Sequence, residues 1–300
     1  MVQVMGVSVS LHKPVLVEEV LHYLRVRPGG VYVDCTLGTG GHTLAILGVP
    51  DTRVYAIDID EESIAVARKR IREMGVNGSR IEIIKNNFRN IRSLIPEKVD
   101  GILFDLGLSS YQIDNPLRGF SYRFDAPLDM RFDRESGTPF YKILPHLGYE
   151  GLSRIIETYG EERMARRIAR AIVGKSIKTT FELRDLILSH VRTRRPDRIL
   201  ARVFQAFRIY LNHELDNLEI ALNGAVDSLK LGGRICVISY HSLEDGIVKH
   251  FFRRTNELQI ITKKVVRPSE EEIADNPRAR SARLRCAEKI TNHNSQFTSR

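Results

Sequence analysis

Along the first third of the chain, short apolar runs alternate with segments of helical periodicity. Val31–Asp34 (VYVD), Val54–Ile57 (VYAI), Ile81–Ile84 (IEII) and Gly101–Phe104 (GILF) have the length and composition of buried strands. Between them, Thr43–Leu47 and Glu61–Met74 predict helices, the second with Ile64, Ala67, Arg68 and Ile71 at helical spacing. From about Gln112 to Leu211 the β rhythm stops. Gly151–Glu157, Glu161–Val173, Phe181–Val191 and Ala201–Leu211 predict helices there. The alternation then resumes. Leu215, Leu218, Leu222 and Leu229 mark one helix face, which Gly232-Gly233 is expected to end. Arg234–Ser239 (RICVIS) reads as another buried strand, Leu258–Lys263 and Arg283–Ile290 as two more, and Arg267 to Arg285 as an exposed loop. The pattern predicts an α/β domain with a mostly parallel sheet, built from residues 1–111 and 212–300. A helical insert of domain size, residues 112–211, interrupts it.

Composition narrows the class. At 300 residues and 42% apolar content, the chain can bury a substantial core without staples. Its longest apolar runs fall far short of the roughly 20 residues that span a bilayer. The N-terminal MVQVMGVSVSLHKP lacks a basic flank followed by an apolar stretch, so a secretory signal is not expected. Cys35, Cys236 and Cys286 sit far apart in sequence, each in an apolar run, with no metal-ligand spacing. Three buried thiols in a reducing cytoplasm are the expectation. The net charge of +9 is unevenly placed. Residues 161–202 hold 12 Lys/Arg against 5 Asp/Glu, and residues 253–300 hold 11 against 6. Two basic segments on a near-neutral body suit a polyanionic partner, although a solvated basic face would have the same composition.

The candidate chemistry lies at strand ends. Asp34-Cys-Thr-Leu-Gly38-Thr-Gly40-Gly41-His42 joins the first strand to a helix, with the glycines where backbone can approach a ligand. A dinucleotide fingerprint wants Gly or Ala where Thr43 stands, which argues against a nicotinamide oxidoreductase. The D-x-x-x-G-x-G spacing resembles the first motif of class I S-adenosylmethionine methyltransferases. Asp58 ends the second strand, where a carboxylate can accept both hydroxyls of a ribose; a helix cap is its alternative role. Phe88 offers an aromatic face to an adenine, or a side chain to the core. Asp105 ends the fourth strand, where ligands of open parallel sheets sit. A carboxylate there can accept the N–H bonds of a substrate amine and favour the pyramidal form that attacks a methyl group. No metal is required, because a sulfonium already activates that methyl.

Several longer segments make the resemblance specific. HKPVLxEEV (His12 to Val20), DCTLGTGGH (Asp34 to His42), DLGLSSYQID (Asp105 to Asp114) and RGFSYRFDAPLDMRFD (Arg118 to Asp133) resemble the RsmH (MraW) family. FQAFRIYLNHEL (Phe204 to Leu215) and GGRICVISYHSLED (Gly232 to Asp245) extend the match. Departures are small, Ala126 for a usual glycine and Tyr122 for a common Phe. The resemblance implies a class I, Rossmann-like methyltransferase with a helical substrate-recognition insert. It implies methylation of the N4 of a cytidine in the decoding region of 16S rRNA, in the small (30S) subunit, in the cytoplasm. S-adenosylmethionine would be held by Gly38, Gly40, Gly41, His42, Asp58, Phe88, Asp105 and Gln112, with His42 and Gln112 implied by the family alone. Arg118, Arg123, His241 and Ser242 are candidate RNA contacts, with helix capping the alternative for Ser242. Arg166 and Arg170 join them from residues alone: with Arg163 and Arg167 they would line one helix face, unless Glu157, Glu161 and Glu162 pair with that face. A ribosome-assembly factor that binds RNA without turnover is the reading from another class. The intact Asp105-to-Asp114 segment favours the enzyme.

Overall fold

The structure is a computed structural model that describes residues 2–4, 7–9 and 14–290. His12 of the first family segment therefore lies outside the described residues. The chain divides into two compact units, Met1–Ser109 with Leu215–Arg300, and Ser110–Glu214.

The first unit carries strands β1 (Val2–Val4) and β2 (Val7–Val9), which pair as an antiparallel hairpin. Seven more strands form one sheet: β3 (Val31–Asp34), β4 (Arg53–Asp58), β5 (Ile81–Lys85), β6 (Val99–Asp105), β7 (Leu229–Ser239), β8 (Leu258–Ile260) and β9 (Arg283–Lys289). Their spatial order is β5-β4-β3-β6-β7-β9-β8; the first five run parallel, and β9 is antiparallel to both its neighbours. Alternate side chains supply two cores. On one face Val31, Val33, Ile102, Phe104 and Val237 pack with Leu218, Leu222 and Phe251. On the other Tyr32, Val54, Leu103 and Cys236 pack with Val20, Ile46, Ile64 and Ile71. The order in which strands are added reverses between β3 and β6, so the crevice at their carboxyl ends is the sheet's switch point.

Two expectations need correction here. Gly232-Gly233 does not end a helix: helix Glu214–Ser228 stops first, and Leu229 already pairs with Val99 in β7. The glycines lie within β7, where the register shifts between Val99 and Gly101 and Gly232 takes φ 77°. The stretch from Arg267 to Arg285 is not simply an exposed loop. Ser269 caps helix Glu270–Asp275, Val266 bridges to Leu284, and Ala279 and Ala282 are buried. Cys236 and Cys286, far apart in sequence, face each other in register on β7 and β9 as free buried thiols.

The second unit is helical, with Tyr149–Gly160, Ala165–Ile172, Thr180–His190 and Pro196–Asn212 as its longer helices. Gly160 lets the first and last of these cross closely, since a Cβ there would meet the Arg202 carbonyl oxygen at 2.8 Å. The helix expected over Glu161–Val173 is shorter, running from Ala165 to Ile172. Glu161 turns left-handed at φ 48°, Glu162 Oε1 accepts the Met164 N–H at 3.0 Å, and the helix restarts at Ala165. Arg163 thus precedes the helix, leaving Arg166, Arg167 and Arg170 on it. Among the described residues, no helix is long and apolar enough to cross a membrane.

Candidate active site

The site of the first unit is built on the carboxyl ends of β3, β4 and β6. After β3 the chain turns through Gly38 (φ 50°) and Gly40 (φ 84°), left-handed conformations that a side chain would strain. Gly40 is also crowded, with Ala67 Cβ 3.3 Å from where its own Cβ would sit. Gly41 and His42 open helix Gly41–Leu47. Asp34, fully buried, accepts from Thr43 Oγ1 at 2.7 Å and from the Thr36 N–H at 3.1 Å. Burial raises its pKa, against those hydrogen bonds and the nearby His42. Thr43 therefore stands where a dinucleotide fingerprint has glycine because a buried carboxylate needs its hydroxyl.

Asp58, at the end of β4, is half-buried. Its Oδ2 accepts the Gly38 N–H at 2.7 Å and its Oδ1 the Asp60 N–H at 2.9 Å. Burial holds its pKa up at about 6. The cap of helix Glu61–Glu73 is Asp60, whose side chain accepts the Glu62 N–H, so Asp58 is not that cap. The Ile59 N–H bonds it as well, so of a carboxylate's roughly four acceptor positions one remains for a hydroxyl. Phe88 packs edge-on against Phe104, ring centroids 5.7 Å apart, and its half-buried ring joins the core.

Asp105 ends β6, and its N–H donates to Thr36 Oγ1 at 2.7 Å. Tyr240, just beyond β7, donates its hydroxyl to Asp105 Oδ1 at 2.8 Å. His42 Nε2 lies 3.3 Å from Asp105 Oδ2, and His42 Nδ1 is buried with no hydrogen-bond partner among the described residues. Burial pulls the His42 pKa down, but hydrogen bonding and charge from Asp105, then Asp34 and Glu272, outweigh it and hold it above the ordinary value. The Asp105 carboxylate is thus held by the Tyr240 hydroxyl and flanked by the His42 ring at the switch point. Tyr240 was not singled out in the sequence; the signal was its place at the end of the RICVIS strand. Glu244, 2% exposed, accepts the Tyr240 N–H at 2.9 Å and holds that turn.

His241, not Ser242, caps helix Ser242–Arg254, in a reciprocal capping box with Glu244. Ser242 is exposed at the first helical position. In the second unit, Gln112 is buried in helix Ser110–Asp114. Arg118 is not a surface residue: it is 0% exposed and donates to the Arg131 and Phe132 carbonyls, both at 2.9 Å. Arg123, Arg166 and Arg170 are exposed. Among the described residues no ion pair involves them; Glu162, expected near the stripe, pairs with Arg202 at 3.2 Å. No group of three His, Cys, Asp or Glu side chains could hold a metal among the described residues.

Five parallel strands followed by a reversed one, with a glycine turn and acids at the switch point, define a class I methyltransferase that uses S-adenosylmethionine. The chain belongs to the MraW methylase family, whose model matches residues 9–290. A ribosomal RNA small subunit methyltransferase H from Thermotoga neapolitana is 47% identical over 291 residues, covering 93% of this chain and 96% of the relative. One of the same name from Carboxydothermus hydrogenoformans is 46% identical over 308 residues, covering 93% and 98%. A solved rRNA methylase from Streptococcus thermophilus aligns over 94% of this chain and 100% of its own at 13% identity, with a TM-score of 0.47, too weak a likeness to add anything.

Proposed function

We propose that this chain methylates the exocyclic N4 of a cytidine in the decoding region of 16S rRNA, within the small (30S) ribosomal subunit in the cytoplasm. The observation that carries this reading is the Asp105 carboxylate at the switch point, pinned by Tyr240 at 2.8 Å and flanked by His42 at 3.3 Å. The amine of cytosine is a poor nucleophile because its lone pair is delocalised into the ring. A fixed carboxylate that accepts its N–H bond favours the pyramidal geometry and stabilises the positive charge that develops on nitrogen. Asp105 would fill that role and take the proton released once the N–C bond has formed.

S-adenosylmethionine, when bound, supplies a methyl group already activated by its sulfonium. The turn at Gly38, Gly40 and Gly41 lets backbone approach such a ligand, Asp58 would accept a ribose hydroxyl, and the buried Nδ1 of His42 is a polar atom in want of a partner. Phe88 would present a ring edge to the adenine. Gln112 is assigned to the cofactor on the family resemblance alone. Arg123, Arg166 and Arg170 would meet phosphates, with His241 and Ser242 beside the base.

The test is to incubate the protein with small subunits lacking the modification and methyl-labelled S-adenosylmethionine, then digest the RNA to nucleosides. Label in N4-methylcytidine, or in its 2′-O-methylated form, is the expected result. Label in another nucleoside overturns the assignment, and tight binding without transfer would point to an assembly factor.

A further inference from the structure

Phe124 is the one exposed phenylalanine among the described residues, at 48% exposure. It belongs to the second unit, and its backbone is not loose. Thr180 Oγ1 donates to the Phe124 carbonyl at 2.5 Å and accepts the Ala126 N–H at 3.1 Å. The Thr180 N–H donates to the Ala126 carbonyl at 2.9 Å, and the Phe181 N–H reaches Asp125 Oδ1 at 3.4 Å. The segment carrying Phe124 is therefore fastened to the start of helix Thr180–His190. The backbone beneath the exposed ring therefore has little freedom left for binding to remove.

Around it the cations Arg123, Lys178 and Arg184 alternate with the acids Asp125, Glu182 and Asp185 and with a second aromatic ring, Phe181. Arg184 lays its guanidinium 3.5 Å from the centroid of the Phe181 ring, while its Nε donates to Asp185. Arg123 and Lys178 are exposed and form no ion pair among the described residues. Asp125, Ala126, Pro127, Tyr141, Lys178 and Thr179 line an adjoining shallow, open depression. Exposed aromatic faces interleaved with cations are the means by which proteins hold unpaired nucleotides, the bases stacking and the phosphates meeting charge. A duplex offers no free base faces to such a surface. A protein partner would call for a contiguous apolar patch, and here arginine and lysine break it up.

We propose that Phe124, with Arg123 and the Phe181–Arg184 pair, forms a stacking surface for unpaired RNA bases. Its role would be to hold single-stranded nucleotides of the substrate. The inference rests on the reading of the chain as an RNA methyltransferase and deepens it.

The full-length protein is titrated with a short single-stranded RNA carrying 2-aminopurine, and with the same strand in a duplex. The wild type should prefer the single strand, and the fluorescence should report stacking. Phe124→Ala should weaken single-strand binding by roughly 5- to 150-fold, the range for removing one stacked base, and abolish the fluorescence change. Phe124→Trp should keep both. Arg123→Gln should lower the salt dependence by about 0.7, the value for one phosphate of a single strand. S-adenosylmethionine affinity and melting temperature serve as folding controls for each variant. Equal RNA binding by wild type and Phe124→Ala overturns the proposal, as does full stacking fluorescence in Phe124→Leu. N4-methylcytidine formation by the wild type is scored separately, so the stacking surface can fail while the activity stands, and the reverse.

Discussion

Tyr240 reaches from the end of β7 to donate its hydroxyl to Asp105 Oδ1 at 2.8 Å, joining the carboxyl ends of neighbouring parallel strands. Glu244 holds the Tyr240 N–H from the following helix, so the phenol is fixed at its backbone as well as at its tip. Such support keeps the carboxylate in one orientation, and if it reacts it would need no reorganisation at that moment.

Removing the carboxylate and removing its support should therefore differ in size. Asp105→Ala should lower single-turnover methyl transfer by at least about 100-fold at saturating cofactor. Tyr240→Phe keeps the acceptor and loses one donor, so about tenfold is expected, near the low end for a hydrogen bond to a charge. A near-wild-type rate for Asp105→Ala would reduce Asp105 to shaping the pocket.

If Asp58 holds the cofactor's ribose, cofactor affinity should depend on pH. With its pKa raised to about 6 by burial, the free protein carries a proton there in mildly acidic solution that a ribose-binding carboxylate must give up. Affinity should be constant above about pH 7 and weaken as pH falls through 6, by up to about tenfold per unit. Asp58→Ala should cost about 1.5–3 kcal/mol of binding and flatten the profile between pH 5 and 7. Calorimetry across pH decides it; a flat wild-type profile removes Asp58 from the ribose.

Arg166 and Arg170 lie one turn apart on helix Ala165–Ile172, and Arg170 stands over the Tyr149 ring with 5.9 Å from its guanidinium carbon to the ring centroid. Changing both to Gln should weaken small-subunit binding and reduce its salt slope by roughly 0.7–0.9 for each phosphate that an arginine had neutralised. Identical slopes for variant and wild type would make the stripe an ordinary solvated surface.

Arg118 should behave as a structural residue. Arg118→Ala leaves the Arg131 and Phe132 carbonyls short of a donor and opens a cavity, at a cost of about 2–5 kcal/mol in stability. Denaturant melts measure this. An unchanged melt with weakened RNA binding would return Arg118 to the interface.

Local chemistry determined much of this protein before any folding was considered. A strand that ends where an apolar run meets an acid can be read residue by residue, and Asp34, Asp58 and Asp105 stand at such ends. The glycine turn was legible for the same reason, since positive φ has few residues that tolerate it. Burial and pairing are properties of what lies across space, and those only the tertiary structure decided. An arginine in a charged segment looks exposed until the chain closes over it, as at Arg118. Thr43 read only as a fingerprint mismatch until the buried Asp34 stood beside it. Tyr240 and Asp105, 135 residues apart, meet because β7 lies beside β6. The helix expected from Glu161 starts only at Ala165, because Glu161 turns left-handed and Glu162 caps the Met164 N–H, neither of which periodicity records. Sequence spacing sets which side chains share a face; which faces meet is set by the order in which the strands assemble.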